Sequence, residues 1–353
     1  MRTPLCTLFN FNYLDKGLVL YESLERVASD FVLYVLAMDD ACYDYLQAQG
    51  YRHLIPVRLS DFENEALLRA KANRSMGEYC WTCSSSLIKY VLDHYREAAC
   101  AYIDADMCFY ADPAILFAEL TERGGSVLLT GHRFLPCERI REKMVGHFCV
   151  EFNLFLNRED ARKALDVWIG QCLEKCSREA DGITFGDQKY LDTWLEQYDF
   201  VRETRHPGAG VAPWNVAAYK LVSNDPAAGR CRIKYRGRET VLVFYHFEGI
   251  EYQERRQVTL NLYRYWGIDD KLIEALYGDY LPAIEAQKQK IALQTGKEIL
   301  LKSHPAFLPR EKTSLSQRIK SITRKLSTSD GRKNLFGIEI PRRLYAAKDK
   351  MTF

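Results

Sequence analysis

The feature of this 353-residue sequence that could carry chemistry is an acid pair, Asp104 and Asp106, in the stretch AYIDADMCFYADP. The pair follows an apolar run that predicts a buried strand. Side chains at i and i+2 of an extended chain point to the same side, so both carboxylates can face one ion. Mg²⁺ and Mn²⁺ prefer oxygen ligands and often join protein carboxylates to substrate phosphates. The pair therefore favours a metal site, although acids after a strand also serve as helix caps or exposed turns.

A histidine at the end of another predicted strand is a second candidate ligand. The segment ETVLVFYHFEG places His246 at a strand end, and Gly249 follows it. Histidine is a common metal ligand, and a glycine lets the backbone approach a phosphate. The alternative is an ordinary buried histidine with hydrogen-bond partners, and the residues alone leave both interpretations open.

Other polar residues stand in apolar surroundings. Asn153 interrupts the predicted strand VEFNLFLN, and a buried amide needs hydrogen-bond partners. Asp187 and Gln188 begin the predicted helix FGDQKYLDTWLEQY, where helix capping explains Asp187 but not Gln188. The loop RHPGAGVAPWN contains Trp214, which either stacks on a sugar or anchors the loop to the core.

The elements that must position these residues alternate between strand and helix. The predicted strands are PLCTLFNF, DFVLYVLAMDD, HLIPVRLS, ACAYIDAD and GSVLLTGH, and amphipathic segments separate them. Nearly uniform apolar strands in this alternation predict an α/β protein with a mostly parallel sheet covered on both faces. Such sheets bind ligands beyond the carboxyl ends of their strands. The polar residues at predicted strand ends are Asn10, Asn12, Asp39, Asp104 and Asp106.

Five short motifs occur in the order of a known enzyme family. They are NY at 12–13, DAD at 104–106, FN at 152–153, GDQ at 186–188 and HFEG at 246–249. Each motif is weak by itself, but the five in order are specific. The sequence resembles nucleotide-sugar-dependent glycosyltransferases of the GT-A fold, and it is most similar to glycosyltransferase family 8 and its bacterial lipopolysaccharide-type relatives.

The resemblance implies a role for each matching position. Asp104, Asp106 and His246 would hold Mn²⁺ or Mg²⁺ at the diphosphate of a nucleotide sugar, in particular a UDP-sugar. Asn153, Asp187 and Gln188 would surround the transferred sugar as catalytic residues, with Gln188 near the anomeric carbon. The predicted contacts of the nucleotide sugar are Phe9, Asn10, Asn12, Asp39, Lys89, Asp104, Ala105 and Gly249.

The sequence also departs from the family pattern. The acids that often precede NY are absent, which leaves the base of the nucleotide open. The lysine of the family's last motif is missing after Gly249, and Lys71, Arg74 and Lys89 are the alternatives for it. Family 8 enzymes retain the anomeric configuration. Two-step retention needs a carboxylate nucleophile, for which Asp187 is the available candidate. The motif residue expected nearer the anomeric carbon is Gln188, whose amide is a poor nucleophile, so we expect displacement on the same face.

The activity implied is that of a hexosyltransferase-type enzyme of bacterial polysaccharide synthesis, which acts on a carbohydrate or lipid-linked acceptor. One alternative is a non-catalytic protein that binds a sugar nucleotide or glycan in the same pocket. The other is a phosphohydrolase of the haloacid dehalogenase type, whose acid pair usually follows the first strand rather than a later one.

Composition and charge bear on organisation and location. We predict a GT-A domain at 1–257, a helical extension at 258–309 and a basic tail at 310–353. The tail contains twelve Lys or Arg and four Asp or Glu, whereas the chain as a whole has a net charge of +2. The body is therefore acidic, and without a recognition motif nucleic acid is not expected as a partner.

The expected location is the cytoplasm, because the sequence shows no signal-peptide pattern, no long apolar run and only scattered cysteines. In the tail, Ile319, Ile322 and Leu326 lie near one helical face among basic residues. This pattern is typical either of peripheral contact with the inner membrane face or of a solvated basic end.

Overall fold

The apolar runs near the amino terminus form the strands that the sequence predicts. The computed structural model describes residues 2–252, 257–259, 262, 267–299 and 350–352. The strands are β1 (Thr3–Phe9), β2 (Phe31–Ala37), β3 (Leu54–Arg58), β4 (Ala99–Ile103), β5 (Met107–Phe109), β6 (Val127–Gly131), β7 (Phe148–Leu156), β8 (Val201–Glu203), β9 (Tyr219–Asp225), β10 (Arg230–Tyr235), β11 (Arg238–Val241), β12 (Phe244–His246), β13 (Glu251–Tyr252), β14 (Gln257–Thr259) and β15 (Lys350–Thr352).

The α-helices separate the strands of the first half of the chain. They are α1 (Leu14–Val27), α2 (Asp40–Gln49), α3 (Leu59–Phe62), α4 (Glu65–Lys71), α5 (Met76–His94), α6 (Ala114–Glu122), α7 (Arg139–Val145), α8 (Glu159–Glu174), α9 (Trp194–Gln197) and α10 (Asp270–Thr295). None of these described helices combines the length and the apolar character needed to cross a bilayer.

Seven strands form the central sheet in the order β3-β2-β1-β4-β7-β6-β8. The pairs of β1 with β2 and β4, of β2 with β3, and of β6 with β8 are parallel, whereas β7 runs antiparallel to β4 and β6. The prediction of an α/β protein with a mostly parallel sheet is therefore confirmed. A separate two-stranded sheet pairs β5 with β12, and β9, β10 and β11 form an antiparallel meander.

Apolar side chains cover both faces of the central sheet. Within β1, Leu5 and Phe9 belong to the core that includes α1, whereas Cys6 and Leu8 belong to the core that includes α5 and α8. Successive strand residues point to opposite faces, so this division places one helical layer on each side. The polar ends of the strands are left at the edge of the sheet, between the two layers.

The described chain divides into two compact units. The first contains residues up to Glu248 together with 267–299, and it includes α10, which packs on α1. The second contains the described residues from Gly249 to Leu262 and 350–352, where β14 pairs with β13 and β15. The rest of the predicted tail at 310–353 lies outside the described residues, and the predicted boundaries at 257 and 309 stay predictions.

Candidate functional site

The pairing of β12 with β5 brings His246 to the acid pair. In this antiparallel ladder His246 lies opposite Met107, the residue that follows Asp106. The imidazole Nε2 is 3.1 Å from Asp106 Oδ1 and 3.8 Å from Asp104 Oδ2. The three side chains predicted as ligands from distant parts of the sequence thus converge on one place. Their binding of a metal ion stays a prediction.

Backbone hydrogen bonds hold both acids in position. The Asp104 amide donates to the Glu151 carbonyl at 3.2 Å, and the Asp106 carbonyl accepts from the Phe247 amide at 2.8 Å. The Tyr102 hydroxyl donates to Asp104 Oδ1 at 3.2 Å. The acid pair is therefore tied to β7 on one side and to the segment after β12 on the other.

Glu151 is a site residue that the sequence analysis missed. Its side chain is fully buried on β7, and Oε2 is 2.8 Å from His246 Nδ1. The sequence signal was present, because an acid in the apolar run CVEFNLFL needs a cation, a proton or donors. Without the fold, nothing in the sequence indicated that its partner would be a histidine 95 positions away.

The electrostatics of the site differ between the two acids. Burial raises the pKa of Asp104 to about 6, although the facing His246 acts in the opposite direction. Burial would also raise the pKa of Asp106, but His246 and Lys16 outweigh it and lower this pKa to about 2. Burial lowers the pKa of His246, yet Asp106 and Glu151 raise it well above its usual value. Three carboxylates thus share one imidazole, and a cation would be attracted to this excess of negative charge.

Asn153 leaves two buried polar atoms unpaired beside the acid pair. The side chain is fully buried on β7, and neither its amide nitrogen nor its oxygen has a hydrogen-bond partner among the described residues. Asn153 lies opposite Tyr102, whose hydroxyl contacts Asp104. A buried polar group left unpaired costs roughly 1–3 kcal/mol, so this amide needs a polar partner, which a water molecule or a ligand can supply. The carboxylate oxygens and the imidazole nitrogen are possible ligands of a divalent cation, and the amide beside them fits a hydroxyl-bearing substrate.

The Asp187-Gln188 segment packs beside the same site, but not as the start of an α-helix. The chain becomes helical only after Gln188, where a 3-10 helix over Lys189–Thr193 leads into α9. The predicted helix is therefore present with a later start, and the capping explanation of Asp187 is wrong. Ser84 Oγ instead donates to Asp187 Oδ2 at 2.6 Å, and Trp168 Nε1 donates to the Asp187 carbonyl at 2.8 Å. These tertiary hydrogen bonds replace the local ones that a helix would supply.

Asp187 and Gln188 differ in how they are held. Burial raises the pKa of Asp187 to about 7, and the charge of Asp104 adds to the shift, so these two carboxylates interact. Gln188 Nε2 donates to the Val145 carbonyl at 2.7 Å. That hydrogen bond orients the amide of Gln188. It gives the side chain a structural partner, so no capping role is needed to explain a glutamine here.

The predicted nucleotide contacts lie at the carboxyl ends of β1 and β2. Phe9 is buried, Asn10 half-buried and Asn12 exposed, while Ala105 is buried between the two acids. Asp39 Oδ2 accepts from the Phe11 amide at 3.0 Å, and its Oδ1 accepts from Cys42 and caps α2. Asp39 therefore shapes the turn after β1. Contact of these residues with a nucleotide stays a prediction.

Two further predicted contacts are placed differently. Lys89 Nζ lies 2.9 Å from Asp166 Oδ1, in a surface depression that Phe62 and Tyr90 also line. Gly249 belongs to the second compact unit and has a φ of 75°, which favours glycine. Lys89 has no described hydrogen bond or ion pair to the acid pair.

The loop around Trp214 anchors itself to the core. Trp214 is buried, and its Nε1 donates to the His132 carbonyl at 2.9 Å. Its ring meets the imidazole of His246 edge to face, with centroids 5.5 Å apart. Of the two interpretations of this residue, the structure supports anchoring, and the ring also packs against a predicted ligand.

The alternatives for the missing lysine are engaged elsewhere. Lys71 forms an ion pair with Glu63 at 2.7 Å, and Arg74 donates to the carbonyls of Cys172 and Leu173. Lys16, which the sequence analysis did not select, is buried in the first turn of α1, with Nζ 4.2 Å from the centre of the Tyr13 ring. Its charge helps to lower the pKa of Asp106. A lysine three positions after the NY motif, at the start of a predicted helix, was the available signal.

Comparisons with known proteins identify relatives of this chain. The uncharacterized protein YfnD of Bacillus subtilis (strain 168) is 34% identical over 279 residues, which cover 78% of this chain and 86% of YfnD. The uncharacterized protein YfnF of the same organism is 30% identical over 298 residues, which cover 82% of this chain and 95% of YfnF. No protein-family model matches the sequence.

Solved structures identify the fold. An active-site mutant of LgtC superposes with a TM-score of 0.51 at 13% identity, over 81% of this chain and 96% of that one. Mouse xyloside xylosyltransferase 1, in its apo form, gives a TM-score of 0.45 at 12% identity, over 70% of this chain and 98% of that one. The match to LgtC confirms the predicted GT-A fold, with its mostly parallel sheet flanked by helices.

Proposed function

This chain belongs to the same family as YfnD and YfnF and has the GT-A fold, and on that premise we propose that it is a divalent-metal-dependent glycosyltransferase. It would move a sugar from a nucleoside-diphosphate sugar, in particular a UDP-sugar, to a carbohydrate or lipid-linked acceptor. The observation that carries the proposal is the approach of His246 Nε2 to Asp104 and Asp106, beside the unpaired buried amide of Asn153.

Asp104, Asp106 and His246 would hold Mn²⁺ or Mg²⁺. When bound, such an ion supplies Lewis-acid stabilisation of the charge that develops on the leaving diphosphate. The residues of this chain supply the rest of the site. Burial of Asp106 and His246 limits competition from water, and the backbone bonds of Asp104 and Asp106 keep the ligands preorganised.

Lys16 is the cation that we propose for the role of the missing motif lysine. It lies three positions after the NY motif, is buried, and acts electrostatically on Asp106. Lys71, Arg74 and Lys89 are all committed to other partners. A lysine at this position would neutralise part of the negative charge of the donor diphosphate. Asp106, with which Lys16 interacts electrostatically, belongs to the same site.

Asn153, Asp187 and Gln188 would contact the transferred sugar. The unpaired amide of Asn153 offers both a donor and an acceptor to sugar hydroxyls. With its pKa near 7, Asp187 exists in both protonation states at neutral pH. LgtC has been solved as a galactosyltransferase in complex with donor and acceptor sugar analogs, and by analogy we propose the same two substrate classes here. We further propose retention by displacement on the same face, because Gln188 carries an amide.

A donor screen tests the proposal. UDP-sugars with Mn²⁺ should raise the melting temperature, since a ligand at 100 times its Kd stabilises by about 2.7 kcal/mol. In the same mixtures, hydrolysis of the donor should release UDP slowly, and an added acceptor should make the release faster. EDTA should abolish both the stabilisation and the release of UDP. Release of inorganic phosphate from simple esters would instead indicate a phosphohydrolase. Binding of UDP with metal, but no turnover over long incubation, would indicate the non-catalytic binding protein.

A further inference from the structure

His246 lies between carboxylates on both sides of its ring. Nδ1 is 2.8 Å from Glu151 Oε2, and Nε2 is 3.1 Å from Asp106 Oδ1. A hydrogen bond at one ring nitrogen determines which way the other nitrogen points and which tautomer is present. Glu151 itself is fully buried, so its position is set by packing on β7 rather than by solvent.

We propose that Glu151 is a positioning residue whose carboxylate holds the imidazole of His246 with Nε2 turned toward Asp104 and Asp106. The inference rests on the function proposed above, because it concerns the same metal site. The main chain of Glu151 acts in the same direction, since its carbonyl accepts from the Asp104 amide at 3.2 Å. One residue of β7 thus contacts two of the three predicted ligands.

Arg133 and Gly210 lie near Oε1, the other carboxylate oxygen of Glu151. Arg133 adopts a φ of 49°, which is uncommon outside glycine, and its Nη1 donates to the carbonyls of His206 and Pro207. A Cβ at Gly210 would lie 2.8 Å from Arg133 Nη2 and 3.2 Å from Glu151 Oε1. Neither Arg133 Nη2 nor Glu151 Oε1 has a hydrogen-bond partner among the described residues, and both border the same small space. A positive charge near a buried carboxylate offsets part of the cost of burial.

A different use of the same residues is less consistent with the structure. Ligand atoms of Cys149, Glu151 and His246 lie within 4.8 Å of one another, as a second metal site would require. His246 Nδ1 already lies 2.8 Å from Glu151 Oε2, which is hydrogen-bond distance, and the other ring nitrogen faces the acid pair. Glu151 is thus best explained as the hydrogen-bond partner of the His246 imidazole, whose other nitrogen faces Asp104 and Asp106.

The first test is Mn²⁺ affinity, measured by electron paramagnetic resonance on the full chain. Glu151→Gln should weaken Mn²⁺ binding 10- to 100-fold, because loss of a carboxylate behind a histidine ligand has an effect of this size. Donor hydrolysis at saturating Mn²⁺ should recover to within a few-fold of wild type. The matched control is Glu203→Gln, which alters a carboxylate 3.1 Å from the ring of another histidine, His147, and should leave Mn²⁺ affinity unchanged.

A double-mutant cycle separates positioning from a purely structural role. If Glu151 acts through His246, Glu151→Gln should have no more than a twofold effect on Mn²⁺ affinity in a His246→Ala background. An equal loss in both backgrounds would overturn the proposal, as would wild-type affinity in the single variant. If Glu151→Gln does not fold, Glu151→Asp replaces it in the same comparison of Mn²⁺ affinities. Aspartate keeps the charge, but its side chain is shorter. Absence of Mn²⁺ binding by the wild-type chain would instead overturn the proposed function.

Discussion

At the level of single residues, the site combines buried carboxylates with few cations. The lowered pKa of Asp106 and the raised pKa of Asp104 have opposite causes, since Asp106 directly faces His246 and Lys16 whereas burial dominates at Asp104. Burial makes such interactions stronger than at the protein surface, because the local dielectric is low. Substitutions that change the charge of these residues should therefore have large effects.

Asp104→Asn should reduce sugar transfer by at least about 10³-fold, even at saturating Mn²⁺, because an amide cannot replace a carboxylate as a charged ligand. The assay is release of UDP from the preferred donor. Asp166→Asn, a surface change at the partner of Lys89, serves as the control and should retain full turnover. Near-normal turnover of the Asp104 variant would refute the metal assignment.

His147 gives the fold a dependence on pH. Hydrogen bonds to Glu203 and Glu142 outweigh the effect of burial and raise its pKa to about 9. Because the pKa of His147 is higher in the folded state, its ion pairs stabilise the fold fully at pH values below the unfolded-state pKa of about 6.5. This contribution to the free energy of unfolding is lost as the pH rises through about 9. His147→Gln should therefore destabilise more at pH 6 than at pH 9.5 in urea unfolding. A difference that does not vary between these pH values would show that the ion pairs do not matter.

At the level of helices and strands, the site depends on how α1 packs on β1. A Cβ at Gly17 of α1 would come within 2.4 Å of the Phe9 ring, so glycine permits the close approach of the helix to the strand end. Phe9 and the NY motif both lie at this junction, next to Lys16. The helix packing therefore determines where the predicted nucleotide contacts stand.

Gly17→Ala should destabilise the protein by about 1–3 kcal/mol through overpacking, although alanine is the better helix former. The matched control is Gly170→Ala in α8, where a Cβ would meet nothing within 4 Å and where the change should stabilise by up to about 1 kcal/mol. Urea unfolding of both variants measures the difference. Equal effects of the two substitutions would show that the contact with Phe9 is relaxed at little cost.

At the level of the whole molecule, the charge distribution is uneven. The acidic body carries the proposed catalytic site, and the basic tail at 310–353 lies outside the described residues apart from β15. If the acceptor is lipid-linked, basic residues with apolar ones on the same face would hold the enzyme at an anionic surface. This function of the tail stays a prediction.

Replacing Arg318, Lys320, Arg324 and Lys325 by Gln should weaken binding of the full chain to vesicles rich in anionic lipid, since each basic residue adds about 1 kcal/mol near such a surface. Co-sedimentation at low and high salt measures the effect, and vesicles of neutral lipid are the control. Equal sedimentation of the variant and the wild-type chain at low salt would show that the tail does not bind membranes.

The sequence by itself determined the features that depend on local pattern. Apolar runs and helical periodicity predicted six of the seven strands of the central sheet, all but β8, and its mostly parallel character, because side-chain burial repeats along each element. The same local reasoning assumed one extended segment for Asp104 and Asp106, whereas β4 ends at Ile103 and the chain turns at 105–106. It failed at Asp187, where tertiary bonds to Ser84 and Trp168 replace the helix cap that the local pattern favoured.

Only the tertiary structure decided which distant residues meet. The register of β12 on β5 sets His246 beside Asp106, and the antiparallel course of β7 beside β4 sets Glu151 behind that imidazole. Strand order and register between segments far apart in the chain leave no periodic trace in either segment. Neither Glu151 nor Lys16 could therefore be assigned a partner until the sheet and its helices were in place.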